Sequence, residues 1–322
     1  MTGLHYSPAA GDPAGNHEAA PLRRPILING FQGGGTNVLL NLISSHPDAT
    51  WISRETQRIF QDRKFQRALG WRDRRHMRRS GFWAVQNTVR RKAPNDSVIK
   101  AIYEGLERQK IASFEREPYR YRSEDTEYDK AEYLDLRFVM KNVNGMTFTD
   151  RMFHDLLPGM ASVYLVRNPF SLWESFARYG RVPAYEHFIA LYRAVADEMV
   201  YRAQETGGML VRFEDVLAEP VARSREILQS LDLDPARLGK YRLQIKPHFQ
   251  AHGERNSGRT FVWTDADHIG EHITAGVDAH QIARLPQDAM DALERDLGRH
   301  CALLGYDTAL FRGIHQRSGS SG

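Results

Sequence analysis

The sequence predicts an α/β fold, a single domain with a central parallel β-sheet flanked by helices. Three observations carry that expectation. From Pro25 onward, short apolar runs alternate with helix-forming stretches, the pattern of strands joined by helical crossovers. The first of these runs passes through a cluster of glycines straight into a helix. The 322 residues are 41% hydrophobic and 26% charged, enough apolar material to bury one large core.

Residues 1–24 are rich in Ala, Gly, Pro and polar groups without periodicity, and are expected to be a disordered lead-in. PILINGF (25–31) is a short apolar run of the kind that forms a buried parallel strand, and VLLNLISSHP (38–47) continues it as a helix. The next strand is expected to end within HPDATWIS (46–53). Residues 57–133 turn polar, with long helical stretches and no compact apolar runs, and so predict a mostly helical insertion over the mouth of the domain. Further strands are expected at RFVMKNV (137–143), ASVYLVRNP (161–169) and GMLVRFEDV (208–216), the last two followed by the helices of FSLWESFARYG and EPVARSREILQSL. The domain is expected to span 25–312, with 313–322 as a flexible tail.

Composition excludes several classes. With Cys301 as the single cysteine, neither a disulfide scaffold nor a Cys-based zinc site is possible, which points to a reducing compartment. His248, His252, His268 and His272 lack metal-ligand spacing, so no metal is expected. The net charge of +4 suits a polyanionic ligand but is too weak to argue for nucleic acid. No run approaches the ~18 apolar residues of a membrane span, and the first twenty residues lack a secretory apolar stretch, so a cytoplasmic protein is expected. The basic runs at 71–81 and 90–92 read as the wet face of helices.

Gly30, Gly33, Gly34 and Gly35 lie between a strand and a helix, where backbone N–H groups can turn inward around an anion at the helix N-terminus. A tight turn needing glycine only for positive φ is the alternative. The Walker A pattern would begin at Gly30, but Thr36 and Asn37 then stand where its lysine and magnesium-binding hydroxyl belong, which disfavours a phosphotransferase. Arg167 closes an apolar strand, at the end where open α/β sheets bind ligands. Ser175 follows eight residues later, about two helical turns on, so it can face the same side.

Taken together, these segments resemble the sulfotransferases that use 3′-phosphoadenosine 5′-phosphosulfate (PAPS), and the resemblance extends over 25–312. Gln32, Gly33, Gly34, Gly35, Thr36 and Asn37 match the loop that holds the 5′-phosphosulfate, and VYLVRNPFSLWESF matches the segment whose Arg and Ser hold the 3′-phosphate, here Arg167 and Ser175. LVRFEDVLAEP resembles a later strand-to-helix junction. HGERNSGRTF resembles a covering loop ending in N-x-x-R, which adds Arg259, and CALLGYD resembles a closing helix. The resemblance implies a P-loop sulfotransferase-like fold and a PAPS-dependent enzyme that leaves 3′-phosphoadenosine 5′-phosphate. Its acceptor would be a hydroxyl or amine of a small molecule, carbohydrate or peptide, selected by the variable insertion. The motifs fix neither the acceptor nor the oligomeric state.

One position departs from the family. A Lys or Arg normally precedes the S/G-G-T core, and Gly33 stands there instead. Another cation substitutes, the backbone suffices, or the protein is a non-catalytic nucleotide binder. Lys141, at the end of RFVMK, is the candidate substitute. Glu55, in RETQR, resembles the glutamate base of tyrosylprotein-type enzymes and is the candidate general base. His46 is expected to cap the first helix through its free carbonyls.

Overall fold

The computed structural model describes residues 24–52, 55–68, 96–116, 119–245, 260–273 and 276–319. Five strands form one parallel sheet: β1 (Ile26–Gly30), β2 (Ala49–Trp51), β3 (Arg137–Val143), β4 (Ala161–Val166) and β5 (Met209–Arg212), in the order β2-β3-β1-β4-β5. Every residue of β1 is buried, as a central strand covered on both faces requires. Ile26 and Ile28 enter one apolar cluster with Leu39, Ile43 and Ile227, while Leu27 joins Phe138, Met140 and Phe153 in another. The chain builds outward from β1 to the β3 side and then crosses to β4. That reversal opens a crevice at the carboxyl ends of the central strands.

Helix α1 (Thr36–Ser44) leaves β1 through the glycine loop. The insertion supplies α2 (Gln57–Gln61), α3 (Arg63–Ala68), α4 (Asp96–Phe114) and α5 (Lys130–Asp135), the last opened by a capping box between Asp129 and Glu132. Residues 69–95, with the basic runs read from the sequence, lie outside the described residues. After β3 come a 3₁₀ turn (Asn144–Thr149) and α6 (Asp150–Leu156). Helix α7 (Pro169–Arg178) follows β4 and begins with Pro169 behind an Asn168 cap, whose Oδ1 accepts from Ser171 N at 2.8 Å. The remaining helices are α8 (Tyr185–Thr206), α9 (Phe213–Ala218), α10 (Pro220–Ser230), α11 (Val277–Ala283), α12 (Gln287–Leu303) and α13 (Thr308–Gly319). Among the described residues no helix is long and apolar enough to cross a membrane.

Three features differ from expectation. Residues 241–245 and 260–264 pair as an antiparallel ribbon, β6 and β7, on either side of the segment read as a covering loop. The C-terminal stretch expected to be a flexible tail stays helical through Gly319. Ile314 packs there against the core and the His315 ring lies 3.4 Å from Ile282 O. His46 does not cap α1 with its ring, which meets Asp234 O at 2.9 Å and accepts from Asp48 N at 3.1 Å. Burial pushes the pKa of that imidazole down. Ser45 and Arg242 cap the helix end instead, Ser45 Oγ donating to Asn41 O at 2.7 Å and Arg242 Nη2 to Ser44 O at 3.1 Å.

Candidate active site

The loop between β1 and α1 is a tight turn closed by Gly34 N donating to Phe31 O at 2.9 Å. Gly33 and Gly35 take φ of +79° and +91°, conformations that side-chain-bearing residues rarely adopt. Each is also hemmed in. A Cβ on Gly35 would overlap the Phe213 ring, and one on Gly33 would overlap Nη1 of Arg181 and lie 3.3 Å from Ser175 Oγ. Gly35 is the N-cap of α1 and no side chain caps the helix, so the first-turn amides of Thr36 and Asn37 are left for an anion in the crevice. This is the arrangement a phosphate cradle requires.

Asn37 faces the end of β3. Lys141 Nζ donates to Asn37 Oδ1 at 2.5 Å and pairs with Glu55 Oε1 at 3.4 Å. Thr56 N donates to Lys141 O at 3.2 Å, which ties the segment carrying Glu55 to the strand end. Gln57 Nε2 steadies the other carboxylate oxygen at 2.8 Å. Glu55, Lys141 and the cradle, which sequence reasoning chose separately, therefore meet.

Arg167 lies where β4 ends, buried to 4% exposure. Tyr192 Oη holds its carbonyl at 2.8 Å, and its guanidinium lies over Phe213, 5.1 Å from the ring centroid. The guanidinium reaches into the loop, donating to Gly33 O, but its main partners lie elsewhere. Nε and Nη2 both donate to Asp278 Oδ1, the former at 3.0 Å, and Nη2 also meets Gln281 Oε1. Ser175 is buried beside the loop and its Oγ accepts from Arg181 Nη1 at 3.1 Å. Gln32 is exposed, its N–H donating to Asn144 Oδ1 at 2.9 Å and its carbonyl accepting from Arg181 Nη1 at 3.2 Å. Arg259 lies outside the described residues.

Four groups at the site escaped sequence reasoning. Asn144, at a φ of +52° just after β3, pins the start of the loop. Asp278 and Gln281 come from a helix more than 100 residues away in sequence. Arg181 comes just after α7 and looks in sequence like any surface arginine. Its half-buried guanidinium lies over Phe176 and Tyr179, with centroid distances of 5.7 and 5.0 Å. Burial, and after it the neighbouring cations, pull its pKa below the usual arginine value.

Below the cradle runs a buried polar chain. Asp150, fully buried, accepts from Asn29 Nδ2 at 2.8 Å, Ser162 Oγ at 3.0 Å, Tyr164 Oη at 3.0 Å and Arg202 Nε at 2.9 Å. Asn29 Oδ1 accepts from Asn142 Nδ2 at 3.0 Å, and Asn142 Oδ1 accepts from Thr56 Oγ1. The chain thus links the strand that launches the loop to the residue after Glu55. Among the described residues no group of His, Cys, Asp and Glu is assembled as a metal site.

Comparison with known proteins identifies a family and a shared fold. The model of the sulfotransferase family matches residues 25–236. Among the solved structures that share the fold over most of the chain are two bacterial sulfotransferase domains. One is the sulfotransferase domain from the Synechococcus PCC 7002 olefin synthase, at 16% identity and a TM-score of 0.50, covering 89% of this chain and 96% of that one. The other is the sulfotransferase domain from the curacin biosynthetic pathway, at 14% identity and a TM-score of 0.50, covering 89% and 99%. No curated protein matches.

Proposed function

The chain belongs to the sulfotransferase family, and on that premise we propose that it transfers a sulfuryl group from PAPS to a hydroxyl or amine of a small-molecule, carbohydrate or peptide acceptor. The observation that carries this reading is Lys141, which bridges Asn37 in the first turn of the anion-binding helix and the carboxylate of Glu55. A cation and a candidate base are thereby held at the mouth of a phosphate cradle.

The residues present fit the nucleotide. The positive-φ glycine loop and the uncapped helix start suit its 5′-phosphosulfate, and Ser175 with the guanidinium of Arg167 suits its 3′-phosphate. When bound, PAPS would supply an activated sulfuryl group on a phosphate leaving group. Glu55 takes the acceptor's proton while the acceptor atom bonds to sulfur and the bond from sulfur to the departing phosphate breaks. Lys141 and the first-turn amides meet the electron pair left on that phosphate.

Calorimetry against 3′-phosphoadenosine 5′-phosphate and adenosine 5′-phosphate, without metal, tests the cradle, and transfer of labelled sulfate from PAPS over an acceptor panel tests the chemistry. The bisphosphate should bind roughly tenfold to over a hundredfold more tightly, as charge-assisted contacts of about 1.5–3 kcal/mol imply. Arg167→Ala should erase that preference. Equal affinities, or strict dependence on magnesium, would overturn the assignment. Tight binding with no transfer to any acceptor would instead mark a nucleotide binder.

A further inference from the structure

Arg181 occupies the space that a side chain at position 33 would need. A Cβ on Gly33 would overlap its Nη1, and that same nitrogen donates to Gln32 O at 3.2 Å and Ser175 Oγ at 3.1 Å. The guanidinium is thus anchored between the glycine loop and the helix that carries Ser175. It also lies over the Phe176 and Tyr179 rings, with the cations Arg167 and Arg178 close enough to act on its charge. The other described cations that the sequence assigns to the site each pair with a carboxylate, Arg167 with Asp278 and Lys141 with Glu55. Among the described residues no carboxylate pairs with Arg181. Among the described residues, Arg181 is thus the cation of the site whose charge no carboxylate offsets.

We propose that Arg181 is the cation that serves the loop anion, delivered from the end of α7, and that Gly33 is a glycine in order to admit it. A half-buried guanidinium that, among the described residues, is held by a carbonyl, a hydroxyl and ring faces keeps donors and charge available to an anion. It meets charge that grows as the sulfuryl group departs, so it contributes more to turnover than to binding. The inference rests on the nucleotide reading of the site and adds a residue that the loop sequence does not contain.

The test compares wild type, Arg181→Ala, Arg181→Gln, Gly33→Ala and the Gly33→Ala/Arg181→Ala double variant. Affinity for 3′-phosphoadenosine 5′-phosphate is read by calorimetry, turnover by sulfate transfer and folding by circular dichroism. Arg181→Ala should weaken nucleotide binding roughly tenfold and lower turnover roughly a hundredfold or more. Arg181→Gln keeps a donor for Gln32 O and Ser175 without the charge, and should be nearly as impaired. Millimolar guanidinium ion should restore part of the turnover of Arg181→Ala. Gly33→Ala displaces the guanidinium, so its loss of affinity beyond the shared backbone strain should vanish once Arg181 is already alanine. Wild type that binds no bisphosphate overturns the nucleotide reading and this inference with it. Wild type that binds, alongside a folded Arg181→Gln variant with unchanged affinity and turnover, overturns the inference alone. So does strict additivity of the two alanine substitutions.

Discussion

Arg167 Nε donates to Asp278 Oδ1 at 3.0 Å, and this buried pair joins the end of β4 to helix α11 across 111 residues of sequence. A phosphate oxygen would compete with this carboxylate for the same guanidinium, while Asp278 Oδ2 is buried with no hydrogen-bond partner among the described residues. Asp278→Asn is expected to lower the thermal stability of the nucleotide-free protein, since breaking a buried pair costs about 3–5 kcal/mol and an amide that still accepts a bond recovers part of it. It should also raise affinity for 3′-phosphoadenosine 5′-phosphate roughly tenfold and enlarge the melting shift the nucleotide produces. Calorimetry and thermal melts check both, and unchanged affinity would make the pair a purely structural tie.

Glu55→Gln should lower turnover by roughly 10²–10⁴ while leaving nucleotide affinity nearly intact, because the amide keeps the shape and loses the basicity. Single-turnover sulfate transfer and calorimetry separate the two effects. A variant with near wild-type turnover would move the base elsewhere.

Lys141→Ala removes the donor to Asn37 and the partner of Glu55 together. Turnover should fall by more than affinity for the desulfated nucleotide, since the charge that Lys141 meets grows toward the transition state. Equal losses in kcat and binding would mean that it merely holds the ground state.

Much of this site was legible because parallel strands announce themselves as apolar runs. Arg167 follows such a run and lies just past the carboxyl end of β4, as the sequence predicts, whereas Lys141, expected to close its strand, lies two residues inside β3 opposite Ile28 because the ladder continues to Val143. The glycines of the loop were equally plain. What they accommodate was not, since Arg181 lies six residues past Ser175 and is locally no different from Arg178, which pairs with Glu174 instead. Asp278 could not be found as the partner of Arg167 by any local pattern, because tertiary packing alone brings α11 to the strand end. The β6–β7 ribbon escaped because its strands are five residues each and 14 residues lie between them, too many for the short-loop sequence pattern that signals a hairpin.

The ammonium of Lys110 is buried in α4, donating to Leu134 O at 2.5 Å and Leu136 O at 2.7 Å, and burial pulls its pKa down to about 8. Its unfolded value near 10.5 means that between those two pH values the unfolded chain holds the proton more firmly. Stability relative to a Lys110→Met variant should therefore rise as pH increases from about 8 to 10.5. Paired denaturant titrations at pH 7 and 10 check the sign. A wild type that loses stability relative to the variant over that interval would contradict the burial argument.

Asn29 and Asn142 face each other as direct partners across β1 and β3, both fully buried. A slip of the two strands by two residues would keep every side chain on its own face of the sheet, and apolar patterning alone would scarcely resist it. It would, however, part the two amides and pull Asn29 from Asp150, at roughly 1–3 kcal/mol for each buried group left unsatisfied. The polar seam thus acts as an alignment key during folding. Glu55 and the glycine loop come into step because a mis-stepped sheet cannot satisfy its own interior.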